Sequence, residues 1–134
     1  MKILLDTKVL IAAFISHGSC ADLVERALTE HVVVTSRFIL GEFKDKMIRK
    51  FKVSPARVYD ILRHFKDRML IVKPAVLSKS VCRDSDDDQI LGTAITGACD
   101  CIITGDKDLL VLKKYQGIPI VSPKQFWNQY GASF

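Results

Sequence analysis

The sequence predicts an α/β domain in which a central, mainly parallel and twisted sheet is covered by helices on both faces. Two observations support this prediction. Short apolar runs alternate along the 134 residues with stretches of helical apolar spacing, and no repeat, low-complexity tract or linker divides them. Strands joined by helical stretches imply right-handed crossovers, which build parallel sheets. With 49% hydrophobic residues, residues 1–134 are expected to form one domain with a sizeable core.

The elements follow in order from local patterns. The apolar run at residues 3–5 predicts a buried strand that delivers Asp6 to its carboxyl end, and apolar residues at helical spacing over 9–14 predict the helix that follows. Further strands are expected where apolar or β-branched residues run together, at 32–35, 69–72, 101–104 and 118–121. Further helices are expected from caps or apolar stripes, at 21–28, after Ser36, after Ser54-Pro55, and at 88–95, 109–112 and 124–130.

Composition narrows the class of protein. No apolar run approaches the roughly 20 residues that a membrane helix needs, and the N-terminus lacks the charged, apolar and small-residue regions of a signal peptide. We therefore expect a cytoplasmic protein with no membrane association. The four cysteines form no CxxC pair and no zinc-like ligand set with the three histidines, so reduced, mostly buried thiols are expected instead of a zinc site or a disulfide frame.

The charge is unevenly distributed. Twenty Lys and Arg residues oppose 15 Asp and Glu residues, a net charge of +5, although several acids crowd into residues 83–88. Most of the positive excess lies in residues 44–68. This segment fits a polyanionic partner, and a solvated helix face is the alternative that charge alone leaves open.

Four carboxylates are predicted to meet. Asp6 and Asp106 each follow an apolar strand, Asp88 opens the helix before the second of these strands, and Glu42 lies within an apolar helical stripe. Four converging acids repel one another unless a cation neutralises them. Because no His or Cys accompanies them, the ligands are all oxygen, which suits Mg²⁺ or Mn²⁺. A divalent metal at a carboxylate cluster on a basic domain indicates a phosphodiesterase, that is, a nuclease.

These residues resemble a PIN domain over essentially the full length of the chain. The resemblance rests on four motifs in order, namely Asp6-Thr7-x-Val9-Leu10-Ile11, Ser36-Arg37-Phe38-Ile39-Leu40-x-Glu42, Arg83-Asp84-x-Asp86-Asp87-Asp88 and Thr104-Gly105-Asp106-Lys107-Asp108-Leu109. The chain is most similar to the prokaryotic stand-alone toxin nucleases related to VapC-type toxins. The resemblance implies a three-layer α/β/α sandwich and Mg²⁺- or Mn²⁺-dependent cleavage of single-stranded RNA. By position it assigns the catalytic, metal-binding acids as Asp6, Glu42, Asp88 and Asp106.

Other polar residues near these acids have more than one interpretation. Asp88 is preferred over Asp84 and Asp87 because it begins the apolar stripe, and the other acids of that run are expected to be solvated or capping, with Asp84 as a secondary candidate. Asp108 is interpreted as a helix-start acid, with metal contact as the alternative. The hydroxyls of Thr7 and Thr104 can orient a carboxylate or meet a phosphate. For Thr7 we favour capping of the following helix.

The resemblance also implies partners: RNA as substrate, an antitoxin protein as inhibitor, and a second copy in a homodimer. Within the basic segment the candidate RNA-binding residues are Lys44, Lys46, Arg49 and Lys50. Near the C-terminus, Phe126 is expected in the core, and Trp127, Tyr130 and Phe134 can cover the sheet edge or form a dimer surface. Two alternatives remain open, a catalytically silent PIN domain that binds RNA or protein, and an RNA-processing nuclease that is not a toxin.

Overall fold

In the computed structural model, which describes residues 1–16 and 18–130, helices and strands alternate along the chain. The described strands are β1 (Lys2–Leu5), β2 (Val32–Thr35), β3 (Leu70–Ile71), β4 (Cys101–Ile103), β5 (Lys114–Tyr115) and β6 (Ile118–Val121). The described helices are α1 (Thr7–Ile15), α2 (Ser19–Glu30), α3 (Arg37–Arg49), α4 (Pro55–Arg68), α5 (Ser85–Thr96), α6 (Lys107–Leu110) and α7 (Pro123–Tyr130). Within the described ranges no single helix is long and apolar enough to cross a membrane, and only α1 and α2 together, bent by 116°, reach that length and composition.

The sheet has the strand order β3-β2-β1-β4-β6-β5. All neighbours pair in parallel except β5, which runs antiparallel to β6. Together with the helices this is the three-layer, mainly parallel α/β/α sandwich that the sequence predicts, so the fold class is confirmed. The central strand β1 is buried, with Ile3, Leu4 and Leu5 exposed by 1% or less. The residue after β1 therefore lies in the middle of the sheet's carboxyl edge.

Several boundaries differ from the predicted ones. Strand β5 has no counterpart in the prediction, because its two residues are polar or amphipathic and become a strand only by pairing with β6. Helix α5 begins at Ser85, three residues before the predicted start, because the Asp84 side chain caps it by accepting a hydrogen bond from the Asp86 amide at 2.9 Å. The predicted caps Ser36 and Ser54 are confirmed, since each accepts a hydrogen bond from the backbone three residues on.

The core fixes the helices that carry the acids. On α3, Ile39, Phe43 and Met47 are exposed by 1% or less, and the rings of Phe14, Phe43 and Phe65 pack edge to face at centroid distances of 5.3 to 6.0 Å. This packing sets the rotation of α3 about its axis. The rotation places Glu42 at the flank of α3, next to the core face and beside α1.

Close backbone approach sets the position of α5. A Cβ built on Gly92 would lie 2.2 Å from the Ala75 carbonyl oxygen, and the Ala75 amide donates to the Gly92 carbonyl at 3.0 Å. Only glycine permits this contact between α5 and the segment that follows β3. The contact fixes the middle of α5 against this segment.

The cysteines and the C-terminal aromatic residues complete the core. All four thiols are free, with Cys99 and Cys101 buried and Cys20 and Cys82 half-buried. Burial raises the pKa of Cys99 and of Cys101 to about 12, so both stay protonated at neutral pH. Phe126 is fully buried as predicted, whereas the Trp127 side chain is 37% exposed. Phe134 lies outside the described residues.

Candidate metal centre

Asp6 follows β1 at the centre of the carboxyl edge and is only 6% exposed. Its backbone N–H donates to the Ile103 carbonyl at 3.0 Å, which ties it to β4, and its Oδ2 accepts a hydrogen bond from the Thr104 hydroxyl at 2.6 Å. Thr104 is fully buried and in turn accepts a hydrogen bond from the Asp106 amide at 3.0 Å. Thr104 therefore orients one acid directly and links it to the next.

Asp106 caps the short helix α6 at the end of β4. Its Oδ1 accepts a hydrogen bond from the Asp108 amide at 2.9 Å, and its side chain is 20% exposed. Because β4 pairs directly with β1, the segments that follow the two strands lie side by side at the carboxyl edge. As expected from the sequence, the ends of these strands bring Asp6 and Asp106 to the same edge.

Glu42 reaches this edge from α3. Its Oε1 accepts a hydrogen bond from the buried Thr7 hydroxyl at 2.8 Å, and its side chain is 22% exposed. The expectation that Thr7 caps α1 is wrong, because Thr7 is the first residue of that helix and its hydroxyl binds a carboxylate on a neighbouring helix. Glu42 is thus tied to Thr7, the residue that follows Asp6 in the chain.

The acidic run at the start of α5 places a different carboxylate at the cluster than the helical pattern predicts. Asp87 is 9% exposed, and single oxygens of Asp87, Asp106 and Asp108 lie within 4.8 Å of one another. Asp88 turns away, because its two oxygens accept hydrogen bonds from the Ser80 hydroxyl at 3.0 Å and from the Val81 and Cys82 amides at 3.2 and 3.0 Å. Asp87 is thus buried and not solvated, and Asp88 braces the preceding loop.

A signal for Asp87 exists in the sequence. With α5 beginning at Ser85, residues 87, 90, 91 and 94 are spaced i, i+3, i+4 and i+7, so Asp87 shares the face of Ile90, Leu91 and Ala94. All of these residues are buried. Placing the helix start at Asp88 hides the signal, because it leaves Asp87 outside the helix. The cap at Asp84 determines which of the successive carboxylates faces inward.

Asp6 and Asp87, the two buried acids at this edge, have raised pKa values. Burial is the main cause for Asp6, where the nearby Asp106 charge also raises the pKa and the Thr104 hydrogen bond lowers it. Burial, followed by the charge of Asp106, raises the pKa of Asp87 to about 6. Asp88 behaves in the opposite way: burial opposes its ionisation, but the hydrogen bonds from Cys82, Ser80 and Val81 hold its pKa below the ordinary value. Of the two neighbours Asp87 and Asp88, Asp87 is therefore the one whose ionisation is unfavourable in the folded protein.

Basic side chains lie against the same acids. The Lys8 Nζ is 3.7 Å from Asp106 Oδ2, the Lys46 Nζ is 3.9 Å from Glu42 Oε2, and an Arg83 guanidinium nitrogen is 2.8 Å from Asp108 Oδ1. These cations offset part of the repulsion among the carboxylates. Their side chains are exposed by 37 to 86%, so they can swing into solvent when another cation binds.

We define the acid cluster as Asp6, Glu42, Asp87, Asp106 and Asp108. Its donor set fits a hard divalent ion, because every ligand is a carboxylate oxygen. An octahedral Mg²⁺ site at 2.0–2.1 Å separates its ligand oxygens by about 3 to 4 Å. The oxygens of Asp87, Asp106 and Asp108 already lie within 4.8 Å of one another, so small side-chain rotations bring them into that range. The residues present therefore fit a divalent metal.

The structure separates the four basic residues that the sequence offers for RNA binding. Lys46 pairs with Glu42 of the acid cluster, and Arg49 pairs with Asp45 at 3.0 Å on the exposed side of α3. The Lys50 Nζ lies 5.5 Å from the ring centroid of Phe51. Lys44 alone among them lines a groove between α3 and α4.

Comparison with known proteins identifies the family and the fold of the chain. The model of the PIN domain family matches residues 2–108 of the chain. No curated protein matches it. Among solved structures, a chain of VapBC2 from Rickettsia felis, bound to a promoter DNA fragment, is similar with a TM-score of 0.66 and 15% identity, covering 91% of this chain and 98% of that chain. A chain of VapBC-1 from nontypeable Haemophilus influenzae has a TM-score of 0.64, 14% identity and 92% and 99% coverage.

A third similar chain comes from DNA-bound VapBC of Salmonella typhimurium, with a TM-score of 0.60, 15% identity and 92% and 98% coverage. At these identities the structural likeness establishes the fold, and the family match covers most of the chain. The protein is an α/β domain with a carboxylate cluster at the carboxyl edge of its sheet. It belongs to the PIN domain family, which confirms the resemblance seen in the sequence.

Proposed function

We propose that this protein is an Mg²⁺- or Mn²⁺-dependent endoribonuclease that cleaves single-stranded RNA. The observation that carries the proposal is the convergence of Asp6, Asp87 and Asp106 from three separate elements on one sheet edge of a PIN fold. In the ligand set Asp87 takes the place that the sequence gives to Asp88, and Glu42 completes it from α3. Asp108 stands as a further ligand beside Asp106.

The acids of the site would bind the metal, and two threonines orient the acids. A divalent ion held by the acid cluster would lower the pKa of a bound water and stabilise the oxygens of the phosphate under attack. Thr104 and Thr7 fix the rotamers of Asp6 and Glu42 through hydrogen bonds of 2.6 and 2.8 Å, so the ligands need little reordering. Because a ligand carboxylate must be ionised, the raised pKa of Asp87 makes metal binding strengthen as the pH rises through about 6.

The proposal extends to the biological role. The three similar chains come from VapBC complexes. Together with the resemblance to VapC-type toxins, this supports a toxin of a type II toxin–antitoxin pair, with an antitoxin protein as inhibitor. The homodimer stays a prediction of the resemblance.

The test is incubation of the purified protein with labelled single-stranded RNA in Mg²⁺, in Mn²⁺ and in excess EDTA. The wild type is expected to cleave only with metal, and Asp6→Asn is expected to abolish cleavage while the fold stays intact. Asp22→Asn, which removes an exposed carboxylate on α2, is the matched control and should cleave normally.

Each contrary result has a distinct meaning. Cleavage that survives in Asp6→Asn indicates a contaminating nuclease. If the wild type binds metal and Asp6→Asn does not, but the wild type does not cleave the probe, the metal site stands and the enzyme requires a more specific RNA sequence than the probe offers. Absence of metal binding would contradict the proposal and support the catalytically silent module.

A further inference from the structure

A large groove lies between α3, α4 and the residues that follow β3. Its volume is about 1110 Å³. Five cationic side chains line it, and we call it the basic groove by these residues: Arg37, Lys44, Arg63, Lys66 and Lys73. No carboxylate is among its lining residues. Its floor is apolar and includes Leu40, Leu62 and Ile71.

The positive charge of the basic groove is scarcely compensated. Across the described ranges, Arg37, Lys44, Lys66 and Lys73 take part in no ion pair within 4.0 Å. Arg63 has one weak partner, Asp60, at 3.4 Å with both side chains more than 70% exposed. Several cations gathered around one concave surface attract an anion strongly, because their fields add there. The groove therefore fits a ligand with a repeated negative charge.

An exposed aromatic ring in the groove narrows the class of anionic ligand that fits it. Tyr59 is 50% exposed at the groove, and the Lys44 Nζ lies 4.9 Å from its ring centroid. Single-stranded nucleic acids bind where cations follow the phosphates and exposed aromatic rings stack against the bases. A run of Asp or Glu residues would use the same cations, but carboxylate side chains offer no flat group to stack on the ring.

The location of the groove favours the same ligand. Its lining includes Arg37, the first residue of α3 after β2, and Val72, which follows β3 and donates its backbone N–H to Thr35 at 2.9 Å. It therefore reaches the carboxyl edge at the ends of β2 and β3. Strands are spaced by 4.7 to 4.9 Å, so this opening lies about 10 Å along the edge from the end of β1, where Asp6 lies. On α3, Glu42 and the groove residues face opposite sides of the helix.

We propose that the basic groove binds single-stranded RNA, with a base stacked on Tyr59 and the phosphates on its five cations, and leads the strand to the acid cluster. The identity of the ligand rests on the proposed function. Of the four RNA-binding candidates from the sequence, only Lys44 lines the groove. The other four groove cations are not among the candidate RNA-binding residues of the sequence: Arg63 and Lys66 belong to its positive segment at 44–68, and Arg37 and Lys73 lie outside it.

The test is equilibrium binding of a labelled oligouridine in EDTA, where no cleavage occurs, over a range of salt concentrations. The double variant Arg63→Gln/Lys66→Gln should weaken binding about tenfold and reduce the slope of log K against log salt by about 1.4, because two phosphate contacts are lost. The matched control is Lys114→Gln/Lys124→Gln, with the same change of charge on β5, at the opposite sheet edge, and on α7. It should bind as the wild type does.

A second substitution tests the stacking without a change of charge. Tyr59→Ala should weaken binding about tenfold with an unchanged salt slope, and Tyr59→Phe should restore it. Equal losses in the two glutamine pairs, or no loss in the groove variants, would overturn the proposal. So would groove variants that keep RNA binding but lose binding of a labelled oligoglutamate peptide, which would assign the groove to an acidic protein segment.

Failure of this proposal is distinguishable from failure of the proposed function. If the wild type cleaves RNA with metal and the groove variants bind and cleave normally, the nuclease stands and the groove proposal falls. If the groove variants lose RNA binding in EDTA while the wild type never cleaves, the groove proposal stands and the nuclease falls.

Discussion

The acid cluster and the basic groove lie at the same edge of the sheet, but their charges are balanced in different ways. In the acid cluster, three of the five carboxylates have a lysine or arginine within 4.0 Å. In the basic groove, only one of the five cations has a carboxylate as close, within the part of the chain that the structure describes. The cluster can fold without its ligand because it carries exchangeable internal cations. The groove depends on solvent ions until a polyanion replaces them.

The two regions also differ in burial. Asp6 and Asp87 are less than 10% exposed, and burial raises the pKa of each. The groove cations sit around an open concavity where solvent screens them. A small change of geometry should therefore affect the cluster strongly, whereas the groove should respond gradually to each lost charge. The predictions below test this difference, beginning with the largest expected effect.

The largest effect is expected from exchanging one carboxylate of the acidic run at the start of α5. Asp87→Asn should lower metal-dependent cleavage of single-stranded RNA at least a hundredfold, because it removes a buried oxygen ligand. Asp88→Asn changes the same charge one residue on, but its side chain binds residues 80–82 away from the cluster. Asp88→Asn should lower the rate of cleavage no more than a few-fold. Initial cleavage rates in Mn²⁺ measure both. A hundredfold loss in Asp88→Asn with normal Asp87→Asn would restore the assignment made from the helical pattern.

A smaller effect is expected from the hydroxyl that orients Asp6. Thr104→Val removes the 2.6 Å hydrogen bond that lowers the pKa of Asp6, so that pKa should rise further. The acid limb of the pH profile of cleavage should move to higher pH, with about a tenfold loss of rate on that limb. Thr104→Ser keeps the hydroxyl and should restore the profile. A uniform loss of rate at every pH would instead mean that Thr104 acts only by packing.

These two predictions show what sequence reasoning reaches and where it stops. The placement of Asp6 and Asp106 at one edge of a parallel sheet follows from local patterns, because a buried strand and the carboxylate after it are adjacent in sequence. The choice between Asp87 and Asp88 depends on one helical step of 100°, which the position of the Asp84 cap decides. The second strand of the β5–β6 hairpin is recognisable by its apolar residues, but β5 exists only through pairing.

The basic groove is less predictable still. Its cations are visible in the sequence as a positive segment, but the surface each one faces depends on how α3 packs against α4. Lys44 and Lys46 are two residues apart on α3, and one lines the groove while the other pairs with Glu42 of the acid cluster. Lys73 follows the edge strand β3 and joins the groove only through tertiary structure. Charge composition thus predicts the kind of ligand, and packing selects the residues.

The stability of the metal-free protein should reveal the cost of the acid cluster. Because the pKa of Asp87 rises from 3.8 to about 6 on folding, the folded state binds the proton more tightly, and this contribution to stability is lost as the pH rises through about 6. In EDTA, Asp87→Asn should therefore raise the free energy of unfolding by about 1 to 2 kcal/mol at pH 8, after allowance for solvent screening, and by almost nothing at pH 4.

Asp88→Asn is the matched variant for stability as well, and its sign is opposite. The pKa of Asp88 is lowered on folding, so its ionised form stabilises the protein above its unfolded pKa and this contribution disappears in acid. The variant should be less stable than the wild type at pH 8 and equal to it in strong acid. Urea denaturation at several pH values measures both variants. If the stability of both variants changed with pH in the same way, the distinction between the buried Asp87 and the hydrogen-bonded Asp88 would be contradicted.

The smallest expected effect concerns the strand end between the two regions. Thr35 ends β2, between β1, which leads to Asp6, and β3, which leads to the groove, and its buried hydroxyl has no hydrogen-bond partner among the described residues. Thr35→Val should raise the free energy of unfolding by about 1 kcal/mol, because an unpaired buried hydroxyl is costly. Thr93→Val should lower it, since that buried hydroxyl has partners at 2.8 and 3.0 Å. Weaker oligouridine binding by a more stable Thr35→Val would mean that the end of β2 couples the groove to the cluster, and unchanged binding would keep the two regions separate.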